Sequence, residues 1–192
     1  PDQALTRSHD ALTVAQEVAH PFSHTYALTT AATLHQFRRE RHTTQTQAEI
    51  ATRLATEQGL PYWGAWGTIL WGWAVAAQGQ GAEGIVQILQ GLAAYRATGG
   101  ELLCPYFLAL LAEAYGSIGQ GEEGLSVLDE ALLIVDQNGV RFYEAELHRL
   151  KGELLLQHAG GTGLQPVPTK TSMGILADGG ATDWSPLLTE AE

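Results

Sequence analysis

Two glycine-rich stretches are the first residues in this sequence that could carry chemistry. Gly79 to Gly84 and Gly119 to Gly124 both have the spacing Gly-x-Gly-x-x-Gly, which in dinucleotide-binding proteins lets the backbone approach a pyrophosphate. That chemistry requires a β-strand before the loop and a helix after it. A helical pattern precedes each stretch here. We therefore interpret both as tight turns between helices and expect no nucleotide cofactor.

Histidine side chains could supply metal ligands. His20 and His24 are four residues apart but are interrupted by Pro21, and His35 and His42 straddle a turn. Neither pair has a cysteine or a well-placed carboxylate to complete a tetrahedral zinc site. We expect no metal site and read these residues as exposed turn histidines.

The composition limits the classes of protein that remain possible. The chain has 192 residues, 45% of them apolar, with 21 acidic and 10 basic residues and a formal charge of -11. Nucleic acid is not an expected partner, because a phosphate backbone is bound by clustered Lys and Arg. The single Cys104 cannot form an internal disulfide and lacks the local signature of a nucleophile. No apolar run reaches the ~18 residues of a membrane span, so we expect a cytoplasmic protein with no catalytic residues.

Charged residues cluster in two places. Arg38, Arg39 and Arg41 are the only basic cluster, and one short run in an acidic chain is typical of a solvated turn. The second group has the i, i+3 and i+4 spacings of ion pairs on a solvated helix face: Glu144, Glu146, Arg149 and Glu153. We interpret both groups as structural.

These motifs belong to a sequence pattern that repeats every forty residues. Gly79 and Gly119 are forty residues apart, and Gly59, Gly99 and Gly139 follow one another at the same spacing. Two columns of small residues follow the same period: Ala11, Ala51, Gly91 and Ala131, and Ala32, Gly72, Ala112 and Gly152. Self-similarity at a fixed period is the signature of stacked supersecondary units.

Apolar periodicity predicts eight helices and no strands. Their approximate ranges are 1–20, 22–38, 43–58, 62–78, 82–97, 102–118, 122–137 and 141–158, with stops at Gly59, Gly99 and Gly139. Residues 159–186 are rich in Gly and Pro and have no apolar face, so we expect a flexible loop there. Residues 187–192 are predicted to begin a further, truncated helix.

The repeating unit resembles the tetratricopeptide repeat. The residues that carry this resemblance in the clearest unit are Ala112, Tyr115, Gly119, Gly124, Leu128 and Ala131. The unit has forty residues rather than the usual thirty-four, the closing proline is replaced by glycine, and the first unit has Arg39 and Thr44 where glycine or alanine is expected. The resemblance implies an all-α, right-handed solenoid of antiparallel helix hairpins over residues 1–158.

The units also look like one subfamily, the C-terminal repeat region of large bacterial signalling ATPases, which often follows a nucleotide cyclase or a DNA-binding domain. The segments that carry this likeness are Gly72 to Gly81, Pro105 to Tyr115 and Glu144 to Glu153. It implies a regulatory or sensory arm. The chain starts at Pro1, in the middle of a unit, so we expect it to be part of a longer protein.

Aromatic residues recur at one place in three units: Tyr26, Trp66 and Tyr106 are forty residues apart. In the repeat family that place faces the concave groove, together with positions three and seven residues on. The equivalent positions in this sequence are Thr29, Thr33, Ile69, Trp73, Ala109, Glu113, Glu146, Arg149 and Glu153. The alternative is that the aromatics form the interhelical core, because they bury large areas wherever helices cross.

These observations favour a non-catalytic scaffold that binds a protein or peptide segment, or a neighbouring domain of its parent chain. The predicted partner-binding groove comprises Tyr26, Trp66, Ile69, Trp73, Tyr106, Glu113 and Arg149. Two alternatives stay open: a small-molecule or peptide sensor that uses the Trp-rich groove, and, with less support, an enzyme within the repeats.

Overall fold

Eight α-helices make up the part of the chain that the computed structural model describes, residues 2–161. They are α1 (Asp2–Val18), α2 (Pro21–Phe37), α3 (Arg41–Glu57), α4 (Pro61–Ala77), α5 (Gly81–Ala97), α6 (Cys104–Ser117), α7 (Gly121–Asn138) and α8 (Glu144–Gly161). Residues 2–161 contain no strand, which confirms the all-α class. None of these eight helices combines the length and apolar character that a membrane span needs.

Glycines follow the ends of helices at intervals of twenty residues. Five of them have positive φ angles, between 65° and 96°: Gly59, Gly79, Gly99, Gly119 and Gly139. Glycine adopts this left-handed conformation at little cost and so stops a helix. Pro21 and Pro61 begin α2 and α4, where a missing N–H costs no helical hydrogen bond. The two glycine-rich stretches form turns between helices, as predicted.

Two residues other than glycine continue the same series. Ala19 has a φ of 51° and Arg39 a φ of 61°, forty and twenty residues before Gly59. A left-handed conformation costs a residue with a Cβ roughly 1–2 kcal/mol. Both turns therefore carry a local strain that glycine removes from the later ones.

The helix boundaries follow the predicted ones closely, with two differences. α6 and α8 begin three residues later than α2 and α4 do within their units, because residues 101–103 and 141–143 form turns. α8 continues to Gly161 and so includes the first three residues of the predicted loop. The rest of that loop, to residue 186, and the predicted helix at 187–192 lie outside the described residues.

Each helix packs against the next one along the chain, and the glycines show the direction of packing. A Cβ at Gly84 of α5 would meet Gly72 and Ala76 of α4, whereas one at Gly91 would meet Ala65 and Ile69. Later residues of α5 therefore contact earlier residues of α4. Such antiparallel packing is what connections of a few residues between helices require.

The even-numbered helices also contact one another: α2 contacts α4, α4 contacts α6, and α6 contacts α8. Within residues 2–161, no odd-numbered helix contacts the next odd-numbered one. The even-numbered helices thus form a continuous layer, which we call the even-helix layer.

Small residues permit the close approach of neighbouring helices, as their periodicity predicts. Ala51, Ala112 and Ala131 are fully buried, and a Cβ at Gly72 would lie 2.8 Å from the carbonyl oxygen of Gly84. Closely packed columns of this kind leave no room for a larger side chain.

The small-residue columns fail at both ends of the described chain. Ala11 is exposed, and Ala15 is the buried alanine of α1 instead. No described atom lies within 4 Å of a Cβ built on Gly152. The reason is the same in both cases. Among the described helices, the backbone of α1 lies close only to that of α2, and the backbone of α8 only to those of α6 and α7, so these two helices have fewer neighbours to approach.

Candidate functional site

A hydrogen bond between α4 and α6 lies at the centre of the even-helix layer. The indole Nε1 of Trp73 donates to Oε2 of Glu113 at 2.8 Å. Trp73 is 2% exposed, whereas the Glu113 side chain is 29% exposed. The two residues are forty apart in sequence, at equivalent positions of successive units, and both were predicted to belong to one groove.

Arg39 extends over this pair from the turn after α2. Its guanidinium donates to Oε1 of Glu113, lies 3.6 Å from Oε1 of Glu146 in α8 and sits 5.9 Å from the ring centroid of Trp73. That distance is within the range of a cation–π interaction. One side chain therefore connects the α2–α3 turn to α4, α6 and α8.

The turn that carries the basic cluster is exposed, as predicted, but its arginine side chains have specific partners. Arg39 contacts Glu113; Arg38 donates to Glu40 at 2.7 Å, and Arg41 donates to the carbonyl oxygen of Ala77 at 2.7 Å. The sequence contained one signal for Arg39: it occupies a position where the five later turns have glycine. An arginine retained in a left-handed conformation indicates that its side chain makes contacts that offset the backbone strain.

Arg149 forms the second cationic centre of the site. Its Nε and Nη2 donate to the two carboxylate oxygens of Glu146 at 2.7 and 2.6 Å, and its Nη1 donates to Glu153. These contacts confirm the predicted ion pairs along α8. The hydrogen bond from Arg149 lowers the pKa of Glu146, and the same bond raises the pKa of Arg149.

The charged residues of the site form one connected network with a net negative charge. Arg39 and Arg149 contribute two positive charges, and Glu113, Glu146 and Glu153 contribute three negative ones. Glu146 joins the two halves because it contacts both arginines. We call these five residues the charged network.

Aromatic side chains lie beside the charged network, where the end of α2 meets the start of α8. Phe37 is 50% exposed and Phe142 is 57% exposed, while Tyr143 is half-buried. The ring centroid of Tyr143 lies 6.2 Å from that of Phe37 and 5.8 Å from that of Phe142. The three rings thus form a continuous aromatic surface that solvent reaches.

Tyr106 of α6 supports these rings from beneath. It is 1% exposed, its ring centroid lies 5.4 Å from that of Phe37 and 5.0 Å from that of Tyr143, and its hydroxyl donates to the side-chain carbonyl of Gln36 at 2.8 Å. Burial raises the pKa of both Tyr106 and Tyr143. Both phenols therefore stay neutral at physiological pH.

The aromatic surface and three residues of the charged network, Arg39, Glu146 and Arg149, line an open cleft of about 480 Å³, which we call the aromatic cavity. Cavities of about 300–1,000 Å³ accommodate small ligands, so this one has room for at least one long side chain. Its walls combine ring surface with guanidinium and carboxylate groups. The lining residues are Gln36, Phe37, Arg39, Phe142, Tyr143, Ala145, Glu146 and Arg149.

The three aromatics that recur at forty residues occupy different environments. Tyr26 is 49% exposed and lines a separate apolar cavity with residues of α1 and α2. Trp66 is half-buried, stacked on Trp63 at 5.5 Å, and its indole N–H has no hydrogen-bond partner. Tyr106 is a core residue.

These environments correct the expected groove. Ile69, Tyr106 and Trp73 are 0%, 1% and 2% exposed, so none of the three belongs to the accessible surface. The environments differ because the neighbours differ: Phe37 and Tyr143 cover Tyr106, whereas Tyr26 lies at the α1 end of the array. Trp73, Glu113 and Arg149 do come together, through the charged network.

Phe37, Phe142 and Tyr143 were missed by the sequence reasoning. Phe37 precedes the α2–α3 turn, and the other two lie in the turn before α8. Neither place is one of the helix positions that the repeat pattern assigns to a groove. Only the approach of α2 to α8 across Tyr106 brings these rings together.

Histidine and cysteine residues have structural partners. Nδ1 of His35 lies 2.6 Å from Oε2 of Glu40, and this hydrogen bond, followed by that of Arg38, lowers the pKa of Glu40. Cys104 is buried, and burial raises the pKa of its thiol. In the part of the chain that is described, no three His, Cys, Asp or Glu residues are grouped as metal ligands.

Comparisons with known proteins give no identification. No protein-family model matches the sequence, and no curated protein matches it.

Proposed function

We propose that this chain is a non-catalytic scaffold that binds a segment of another protein, or of its own parent chain, on the even-helix layer. The binding surface comprises the aromatic cavity and the charged network beside it. Of the groove residues expected from the sequence, Glu113 and Arg149 belong to this surface. Trp73 lies beneath it as the buried donor to Glu113, and the aromatic residues of the cavity replace Trp66, Ile69 and Tyr106.

We also propose a right-handed solenoid of helix hairpins similar to the tetratricopeptide repeat, and the pattern of helix contacts supports the stacking of hairpins that such a solenoid has. Even-numbered helices contact one another and odd-numbered ones do not, so the even-helix layer is the more closely spaced of the two. A stack of helix pairs with this asymmetry curves toward its closely spaced side. Such solenoids use their concave surface for binding.

The exposed aromatic rings are the observation that carries the proposal. Phe37 and Phe142 each expose about half of their surface beside a cavity that is large enough for a side chain. Aromatic residues are enriched in the cores of protein interfaces and among the residues that contribute most binding energy. A neighbouring carboxylate and two arginines supply the polar rim that such interfaces have.

We further propose that the chain is the regulatory or sensory arm of a larger bacterial signalling ATPase and acts in the cytoplasm. The support for this is the forty-residue sequence pattern and the segments that resemble that subfamily. The sensor alternative predicts a closed pocket near Trp66 and Trp73. It has less support, because neither tryptophan lines the aromatic cavity.

A paired capture experiment tests the scaffold function. The immobilised chain, its Phe142→Ser variant and its Leu133→Ser variant are exposed to extract from the source cells. Leu133 is a matched control, since it is 56% exposed but lies on α7. We expect a set of proteins whose capture is lost with Phe142→Ser and retained with Leu133→Ser. Equal capture by both variants would exclude the aromatic cavity as the binding surface.

A further inference from the structure

The two arginines that line the aromatic cavity have hydrogen-bond donors to spare. Arg39 donates to Glu113 through Nη1, and its Nη2 lies 3.6 Å from Glu146, which is longer than a hydrogen bond. Nε and Nη2 of Arg39 therefore make no hydrogen bond within the described part of the chain. Arg149 donates to Glu146 and Glu153 through all of its nitrogens, but each terminal nitrogen carries a second N–H that these bonds leave unused.

The free donors of the two arginines converge. Nη2 of Arg39 lies 3.6 Å, and Nη2 of Arg149 lies 2.6 Å, from the same atom, Oε1 of Glu146. A carboxylate accepts hydrogen bonds side by side on its two oxygens. One ligand carboxylate is therefore able to reach both guanidinium groups.

Both guanidinium groups are held in place by their existing contacts. Arg39 lies over the ring of Trp73, 5.9 Å from its centroid, and Glu113 fixes one of its nitrogens. Two carboxylates fix Arg149 in the same way. The side chains of Arg39 and Arg149 are still 45% and 43% exposed. The free donors are thus oriented in advance and open to a ligand, which lowers the entropic cost of binding.

The charges on the cavity wall favour an anion over a cation. Two arginines and one glutamate line the aromatic cavity, so its wall has two positive charges, one negative charge and a net charge of +1. Glu113 and Glu153 belong to the charged network but not to this lining, and both oxygens of Glu146 already accept from Arg149. A lysine or arginine side chain would meet two like charges here, whereas a carboxylate would meet free donors from both arginines.

The aromatic rings favour an apolar group beside that carboxylate. Phe37 and Phe142 expose about half of their surface and line the cavity together with Tyr143. A small hydrated anion would leave these rings in water, whereas a large apolar side chain next to the charge covers them and gains the free energy of that burial. The fitting occupant combines a carboxylate with a large aliphatic or aromatic side chain.

We infer that the segment bound on the even-helix layer presents a carboxylate to Arg39 and Arg149 and packs a large apolar side chain on Phe37 and Phe142. The inference rests on the proposed function, because it specifies the chemistry of the partner at the same surface. The carboxylate belongs to an Asp or Glu side chain or to the C-terminus of the segment, and the experiment below distinguishes these two sources.

The experiment uses a random peptide library displayed at the C-terminus of a phage coat protein, so that each peptide ends in a free carboxylate. The full chain selects binders, whose affinities are then measured as synthetic peptides with free and with amidated C-termini. Arg39→Gln and Phe142→Ser alter the cavity. Their controls are Leu133→Ser and Arg96→Gln, since Arg96 is 46% exposed and is likewise paired with a glutamate, Glu130. Neither control residue lines the aromatic cavity.

We expect the selected peptides to share a carboxylate next to a large apolar side chain. Replacing the acidic residue with its amide, or amidating the C-terminus, should weaken binding about tenfold, because a charged hydrogen bond is lost; whichever change does so identifies the source of the carboxylate. Arg39→Gln and Phe142→Ser should weaken binding to a similar extent, and the two controls should bind as the original chain does. Arg149→Gln repeats the test on α8, away from the strained turn of Arg39, and urea midpoints show which variants remain folded.

The other outcomes separate the two proposals. Basic or uncharged peptides that depend on Phe142 would overturn the inference and leave the scaffold function standing. Acidic peptides that bind Arg39→Gln and Arg149→Gln as tightly as the original chain would also overturn it. General attraction to the protein does not imitate the expected result, since a chain with a formal charge of -11 repels acidic peptides at long range. If no selected peptide depends on Phe142, both the inference and the scaffold surface are wrong.

Discussion

Replacing Arg39 with glycine separates the strain of its backbone from the contacts of its side chain. Arg39 has a φ of 61° and Ala19 has a φ of 51°, at equivalent turns twenty residues apart. Glycine relieves both positions. Ala19→Gly is therefore a matched control that changes the same kind of backbone without removing a charged contact.

The expected magnitudes follow from the contacts of Arg39. Relief of the left-handed conformation gains roughly 1–2 kcal/mol, reduced by up to about 1 kcal/mol because glycine makes the unfolded chain more flexible. Ala19→Gly should therefore stabilise the fold by about 0.5–1 kcal/mol. Arg39→Gly makes the same gain but loses the ion pair with Glu113, worth up to about 1 kcal/mol because the Arg39 side chain is 45% exposed.

Arg39→Gly also loses the cation–π contact with Trp73, worth about 0.5–1 kcal/mol. In addition, Glu113 keeps its charge without its arginine partner. We therefore expect Arg39→Gly to destabilise the fold by about 1 kcal/mol, which places it about 2 kcal/mol below Ala19→Gly. Most of that difference should disappear in about 1 M salt, since salt screens partly exposed ion pairs.

Urea unfolding at low and high salt measures these quantities, with linear extrapolation to zero denaturant. Circular dichroism follows the helices, and Trp fluorescence follows the surroundings of Trp73 and the other tryptophans. If Arg39→Gly stabilises the chain as much as Ala19→Gly does, the side-chain contacts contribute nothing, and the argument that they offset backbone strain is refuted.

The remaining predictions concern packing, a buried hydrogen bond and pH. Ala131→Leu should destabilise the fold by ~1–3 kcal/mol, because Ala131 is fully buried between helices and a larger side chain overpacks that contact. Gly152→Ala should instead stabilise α8 by up to about 1 kcal/mol, because no described atom lies within 4 Å of the new Cβ. Equal urea midpoints for the two variants would contradict this contrast. Tyr106→Phe should destabilise the fold by ~1–3 kcal/mol, because the side-chain carbonyl of Gln36, a residue that is 1% exposed, loses its hydrogen-bond donor. A melting profile equal to that of the wild type would exclude that contribution. The pKa of Glu146 is lowered from 4.5 by its hydrogen bond with an arginine, so its contribution to stability should be complete above pH 4.5 and be lost as the pH falls below that value. The stability difference between wild type and Glu146→Gln should accordingly shrink as the pH falls below 4.5, and a difference that does not change over that range would contradict the assignment.

The sequence by itself determined the helices and their order. Glycine at twenty-residue spacing and proline at helix starts act on the local backbone, through φ angles and missing N–H groups, and need no distant contact. Small residues such as Ala112 and Ala131 were recognised as packing sites because their period matches the unit. Trp73 and Glu113 were placed together for the same reason, since a shift of one unit keeps a residue on the same face of the next helix pair.

Only the tertiary structure decided which aromatic rings are exposed. Tyr26 and Tyr106 have equivalent positions in their units, yet one is 49% exposed and the other 1%, because burial depends on what lies on the neighbouring helices and not on the residue itself. The position of Arg39 was decided in the same way. Its turn signal is local, but its partners are 74 residues away in Glu113 and further still in α8, and periodicity within one unit carries no information about contacts at that separation.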